Sequence, residues 1–143
     1  MVHTHRIVEC RELAYILFGD LRDLLEEAPN RETVRWLNAV LDALLETIPE
    51  EFELKSSDGY LSDVLESFPN WQGEVEQLEE DYYILMHSLK HLRYRLSQDM
   101  DFSIVAADIS RELQIWMDSF RNHIQKEQRL VQMAVCLEVG GGD

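Results

Sequence analysis

Two polar residues, His123 and Glu127, stand where the chain otherwise places core side chains. Around them, apolar residues recur at alternating steps of three and four, at Ala106, Ile109, Leu113, Trp116, Phe120, Leu130, Ala134 and Leu137. This spacing is that of a helix that buries one face, so His123 and Glu127 are predicted to point inward, one turn apart. Because an unpaired buried polar group costs kilocalories, the pair must meet other polar groups or hold an ion.

Three further segments carry apolar stripes with helical spacing, and they predict the elements that position the pair. The stripes are Cys10, Ala14, Leu17, Leu21, Leu24 and Ala28; Val34, Leu37, Leu41, Leu44 and Ile48; and Trp71, Val75, Leu78, Tyr82, Leu85, Leu89, Leu92 and Leu96. We therefore expect helices over 6–28, 31–48, 71–97 and 103–138. Short links favour an all-α, up-down-up-down antiparallel four-helix bundle. The chain, 1–143, is interpreted as one domain with flexible ends at 1–5 and 139–143.

Turn-forming residues mark the links between these helices. Asn30 is predicted to cap the start of the second helix. Pro49 is expected to kink or end that helix near Glu51, since proline lacks a backbone donor. The connection from Phe52 to Asn70 is longer and has two interpretations: a packed crossover, or a short amphipathic helix around 61–68 that covers one end of the bundle.

Further polar side chains are predicted at the height of the inward pair, because each helical residue rises about 1.5 Å and the heights can be counted from the turns. This layer contains Cys10, Thr47 and Glu51 from the first two helices and Asp81 from the third. The candidate metal ligands are Glu51, Asp81, His123 and Glu127. Such a set suits a single Fe, Mn or Zn ion. The alternative is a polar network without metal, in which a protonated His123 is held by the carboxylates.

A second pair of histidines, His87 and His91, has the four-residue spacing of ligands on one helix face. Its position relative to Leu89 directs both imidazoles away from the apolar stripe. We therefore predict that these two side chains are exposed to solvent.

Composition excludes several classes of function. Lys and Arg number 13 against 28 Asp and Glu, so the net charge is −15, which disfavours nucleic acids and anionic membranes. No apolar stretch is long enough to span a bilayer and no secretory signal opens the chain, so a cytoplasmic location is expected. Cys10 and Cys136 are predicted to be free, buried thiols. Phosphate-binding loops and nucleophile motifs do not occur, and we expect no enzymatic activity.

Four antiparallel helices with His123 and Glu127 late in the fourth resemble a hemerythrin-type, or HHE cation-binding, domain over nearly the whole chain. In that family, each helix contributes inward histidines or carboxylates to a non-haem iron pair. The last helix of the family carries a histidine followed four residues later by an acid, which His123 and Glu127 match. Its second helix has a histidine and then two adjacent acids, and here Glu50 and Glu51 keep the acids.

Departures from the family pattern fall at its other histidine positions. Thr47 stands at that of the second helix, Asp81 at that of the third, and Cys10 at the corresponding place in the first. The resemblance therefore implies a hemerythrin-like bundle whose diiron site has decayed.

The function expected from this resemblance is that of a regulatory or interaction module whose partner is another protein. It has no cofactor, or at most one Fe, Mn or Zn ion. The alternative is a functional non-haem metal sensor of oxygen or redox state. A third interpretation, from the charge, is an acidic mimic that binds a basic partner.

Overall fold

Helices account for nearly all of the residues described by the computed structural model, which are 2–57, 60–98 and 102–141. The elements are α1 (Val2–Glu26), α2 (Arg31–Ser57), α3 (Tyr60–Ser67), a 3-10 turn (Pro69–Trp71), α4 (Gln72–Ser97) and α5 (Phe102–Gly141). No strand occurs within these ranges. The prediction of an all-α protein is therefore confirmed.

Long helices pack against one another in pairs: α1 on α2, α2 on α4, α4 on α5, and α1 on α5. In each of the first three pairs, two contacts show that the residue numbers rise in opposite directions along the two partners. They are Arg6–Glu50 and Glu27–Thr33 for α1 and α2, Asp42–Arg93 and Phe52–Tyr82 for α2 and α4, and Arg95–Glu112 and Leu85–Trp116 for α4 and α5. These neighbours are thus antiparallel.

The core between the long helices is made from the apolar stripes. Its most deeply buried side chains are Leu21, Leu41, Leu44, Leu89, Ile109 and Leu113. Every one of them lies on a stripe predicted from the sequence. Full burial of one such side chain contributes about 1.5–3 kcal/mol, so the stripes contain the main driving force for this packing. The side chains of Ala106 and Leu137, at the two ends of the last stripe, lie outside the described part.

Helix α2 is longer than predicted, because it continues through Pro49 to Ser57. The expectation that Pro49 ends the helix near Glu51 is therefore wrong. Proline removes one backbone hydrogen bond. The turns beyond it nevertheless bury Phe52 and Lys55, and this burial offsets the local loss. The last turns of α2 thus contribute to the core.

The segment between α2 and α4 forms the short amphipathic helix that was one of its two interpretations. It spans Tyr60–Ser67, and its Val64 packs in a small separate cluster with Val75 of α4 and Ala134 of α5. Helix α3 therefore covers the part of α5 beyond the main core.

The other helix ends differ from the predicted limits by at most four residues. Asn30 caps α2 as predicted, since its Oδ1 accepts a hydrogen bond of 2.8 Å from the Thr33 amide. Helix α1 begins at Val2 and ends at Glu26, and α5 extends to Gly141. Met1 and residues 142–143 lie outside the described part. None of the described helices has the length and apolar character needed to cross a bilayer.

Replacing Pro49 by Ala tests the continuity of α2. The change restores a backbone donor inside a helix, so we expect it to raise the free energy of unfolding by up to about 3 kcal/mol in denaturant titrations. The matched control, Ala39→Pro on the exposed face of the same helix, should lower that free energy by about 3 kcal/mol. An unchanged stability in Pro49→Ala would contradict a helix that runs through this position.

Candidate functional site

His123 and Glu127 both point into the protein, as the stripe of α5 predicts. Their exposed fractions are 6% and 3%, which are values of core residues. Phe120, one turn before His123, is buried as well, and its ring centroid lies 5.9 Å from that of the imidazole. The two polar side chains thus continue the apolar stripe of α5.

Lys55 forms an ion pair with Glu127, and it is not among the residues predicted for the site. Its Nζ donates to both carboxylate oxygens of Glu127, at 2.8 and 3.0 Å, and lies 3.5 Å from Oε1 of Glu51. The position of Lys55 on the stripe can be derived from the sequence, since steps of four and three from Ile48 lead to Phe52 and Lys55. The expected kink or end of the helix at Pro49 hides this continuation of the stripe.

The pair of Lys55 and Glu127 is a buried ion pair, with both side chains less than a tenth exposed. Removing two charges from water is expensive, and a short bidentate contact recovers part of that cost. The pair joins the last turns of α2 to the second half of α5, 72 residues apart in the chain. Its geometry therefore depends on how these two helices are placed.

His123 is neutral at pH 7, which corrects the prediction of a protonated ring. Burial lowers the pKa of the imidazole below its ordinary 6.5, and the Lys55 ammonium lowers it further, although the carboxylates of Glu127 and Asp81 raise it. The main reason is burial, because the charged ring would lose its hydration in the core, and the Lys55 ammonium adds a smaller effect in the same direction. The Nδ1 atom of His123 is buried and has no hydrogen-bond partner among the described residues.

The four predicted ligands are only partly brought together. Glu51 and Glu127 share the Lys55 ammonium, and His123 lies one turn from Glu127. Asp81 is half-buried and accepts a hydrogen bond of 3.0 Å from Gln77 on its own helix, although its charge still acts on His123.

A metal pair does not fit the layer as it is arranged. No group of three or more His, Cys, Asp or Glu side chains suited to hold an ion occurs within the described ranges. The ammonium of Lys55 lies against Glu51 and Glu127, so a cation that used these carboxylates would have to displace it. Binding of a single Fe, Mn or Zn ion stays a prediction.

Residues of α1 and α2 meet at the heights counted from the sequence. Cys10 and Thr47 are buried, and Arg11 of α1 lies 3.5 Å from Glu51 of α2. Burial raises the pKa of the Cys10 thiol, and the nearby carboxylate of Glu50 raises it as well. Cys10 is therefore a protonated core thiol at pH 7.

The exposure of the side chains tests the remaining predictions about histidine and cysteine. His87 and His91 lie on the exposed face of α4, as predicted. Cys136 is free, but it is exposed, so the prediction of a buried thiol is wrong at this position. Cys136 follows the buried Ala134 by two positions. Because a helix turns about 100° per residue, these two side chains lie on different sides of α5.

A cavity of about 230 Å³ opens beside the ion pair. Its walls combine apolar and polar side chains from α1, α2, α4 and α5: Arg11, Ala14, Tyr15, Phe18, Ile48, Glu51, Phe52, Lys55, Tyr82, Phe120, His123, Ile124, Glu127 and Gln128. The polar layer is thus not filled completely by protein atoms.

Comparison with known proteins identifies no relative, since no family model, curated protein or solved structure matches this chain. The resemblance to hemerythrin-type domains stays a prediction from the sequence.

Substitution of the ion pair by methionine tests its energetic role. Lys55→Met removes the ammonium that faces Glu127, and Glu127→Met leaves that ammonium with its longer contact to Glu51, so we expect each to cost up to about 3–5 kcal/mol of unfolding free energy. The double variant removes both charges and should be neutral or more stable by up to about 4 kcal/mol. The surface pair of Arg93 and Asp42 serves as the control, since breaking it should cost at most about 1 kcal/mol. Additive losses in the double variant would contradict a coupled pair.

The lowered pKa of His123 predicts how stability depends on pH. The unfolded imidazole titrates near pH 6.5 and the folded one at a lower pH, so between these values the unfolded state binds more protons. Stability should therefore fall as the pH drops below about 6.5, and His123→Leu should reduce this fall in denaturant titrations at pH 7.5 and 5. Phe120→Leu, which disturbs the same layer without removing a titrating group, should lower stability at both pH values and keep the wild-type difference. An unchanged pH difference in His123→Leu would disprove the assignment.

Proposed function

We propose that this chain is a helical interaction module that binds a basic segment of another protein. We further propose that its long helices form an up-down-up-down bundle of the hemerythrin type, in which the diiron site has decayed. The antiparallel contacts of α1 with α2, α2 with α4, and α4 with α5 support this arrangement. The contact of α1 with α5 closes the ring of neighbours.

The observation that carries the proposal is the position of the Lys55 ammonium. It lies between the carboxylates of Glu51 and Glu127, in the layer to which the resemblance to hemerythrin-type domains would assign an iron pair. A fixed internal cation makes the charge of this layer independent of a metal. With Lys55 in place, the layer has a structural role in the core, and the partner binds at the surface of the protein.

The surface feature that favours a basic partner is a groove of about 590 Å³ between the end of α1 and the start of α2. Four exposed carboxylates line it, from Asp20, Asp23, Glu27 and Glu32. The indole of Trp36 lies beside them and is 59% exposed. Carboxylates pair with Lys and Arg, and an indole face attracts the same cations, so the groove is complementary to a basic peptide.

Thermal melts test both parts of the proposal, because a ligand that binds the native state raises its melting temperature. We expect no shift with micromolar Fe²⁺, Mn²⁺ or Zn²⁺. A peptide of about ten residues rich in Lys and Arg should raise the melting temperature at low salt, and the shift should shrink at high salt as charge screening requires. Trp36→Ala with Asp23→Asn should remove most of this shift, whereas Tyr94→Ala, an exposed aromatic on α4, should preserve it.

The outcomes separate the module from the alternatives. A metal-dependent shift that is lost in Glu127→Gln would favour a metal sensor and overturn the proposed role of Lys55. No shift with any basic peptide would contradict the proposed partner. A peptide-induced shift that survives Trp36→Ala with Asp23→Asn would place the binding surface elsewhere.

A further inference from the structure

The cavity beside the ion pair contains a polar group that no atom of the described residues satisfies. His123 forms part of its wall, is more than nine-tenths buried, and has an Nδ1 atom without a hydrogen-bond partner in the described part of the chain. Leaving such a group unpaired in the core is unfavourable, because it has lost its hydrogen bonds to water. A molecule in the cavity that offers a hydrogen bond would recover this cost.

Aromatic rings form much of the remaining wall. Phe18 and Phe120 have ring centroids 5.2 Å apart, and Phe52 stacks on Tyr82 with centroids 3.7 Å apart. These four side chains line the cavity, together with aliphatic groups such as Ile48. Rings pack favourably against rings, stacked or edge to face, so the walls suit an aromatic occupant.

The charges of the cavity are already balanced. Two cationic side chains, Arg11 and Lys55, meet two carboxylates, Glu51 and Glu127, at distances between 2.8 and 3.5 Å. A charged ligand would have no uncompensated partner here and would bring its own desolvation cost. The cavity therefore favours a neutral molecule.

We propose that this cavity binds a neutral, single-ring aromatic molecule with a hydroxyl group, of the phenol class, whose hydroxyl bonds the imidazole of His123. A neutral imidazole has one N–H and one lone pair, and a hydroxyl can serve either, because it both donates and accepts. The cavity of about 230 Å³ is large enough, since enclosed cavities of about 150 Å³ hold benzene. This site shares no lining residue with the acidic groove proposed above for a basic partner, so it does not depend on that partner.

A route to the cavity lies between α1 and α5. A second groove of about 380 Å³ runs there and shares Tyr15, Phe18 and Phe120 with the inner cavity. Its outer residue Tyr15 is 82% exposed, so this groove reaches the surface. A single-ring molecule can therefore enter by small side-chain movements along this gap.

Titration calorimetry and NMR with three probes test the proposal on the full chain. The probes are phenol, toluene and benzoate, which have nearly the same size and differ in the hydroxyl and in charge. We expect phenol to bind about tenfold more tightly than toluene, which is what a hydrogen bond of about 1.4 kcal/mol provides, and benzoate to bind most weakly. In His123→Phe, this preference for phenol over toluene should fall to about one.

A second variant keeps the test decisive if His123→Phe does not fold. Ala14 lines the cavity, and Ala14→Leu should fill it and weaken phenol and toluene binding alike by about tenfold or more. Ile115→Ala, on the exposed face of α5, is the control and should bind as the wild type does. Absence of binding, equal affinities for phenol and toluene in the wild type, tightest binding of benzoate, or unchanged binding in Ala14→Leu would each overturn the proposal.

Discussion

The buried ion pair between Lys55 and Glu127 constrains the rest of this structure. Lys55 can reach Glu127 only if α2 stays helical beyond Pro49, so the last turns of that helix and the ion pair depend on each other. Phe52, on the same turns, stacks on Tyr82 of α4 and adds apolar contact to the electrostatic one. A proline that would end an exposed helix is tolerated here because the segment after it is held from two sides.

Burial decides the protonation of the layer. Glu127, one turn away, raises the pKa of the His123 imidazole, but the loss of hydration in the core lowers it more, and the Lys55 ammonium adds to the lowering. His123 is left as a neutral, buried hydrogen-bonding group, which gives the adjoining cavity its polar wall. Burial and one lysine thus convert a set of metal-type ligands into an ion pair beside a neutral imidazole.

Much of this fold could be predicted from the sequence because a helix that buries one face repeats its apolar residues at regular intervals. The stripes located the four long helices, and the inward direction of His123 and Glu127 followed from them. Counting from the turns also placed Glu51 at the height of the first helix's polar residues, where Arg11 contacts it. These features depend on local periodicity and on the regular rise of a helix, and both can be derived from the sequence alone.

The missing parts of the site depend on interactions between segments. Lys55 carries no local signal that distinguishes a buried lysine from an exposed one, and a proline ahead of it concealed its place on the stripe. The protonation of His123 is set mainly by its burial among the packed helices, which no pattern within α5 measures. Asp81 lies near the predicted height, yet its carboxylate accepts a hydrogen bond from Gln77 on the same helix. Charge state and pairing are properties of the assembled core, whereas the direction of a side chain is a property of its helix.

A polar layer inside an apolar core also restricts which packings are possible. Leucine layers can slide past one another by a turn with modest loss, since one apolar contact replaces another. A slide of α5 by one turn, about 5.4 Å, would separate Lys55 from Glu127 and break the short ion pair inside the core. The ion pair therefore penalises the displaced packing far more than it stabilises the observed one. By this argument its main effect is to fix the register of α2 against α5, and the cavity beside His123 keeps its shape because that register is fixed.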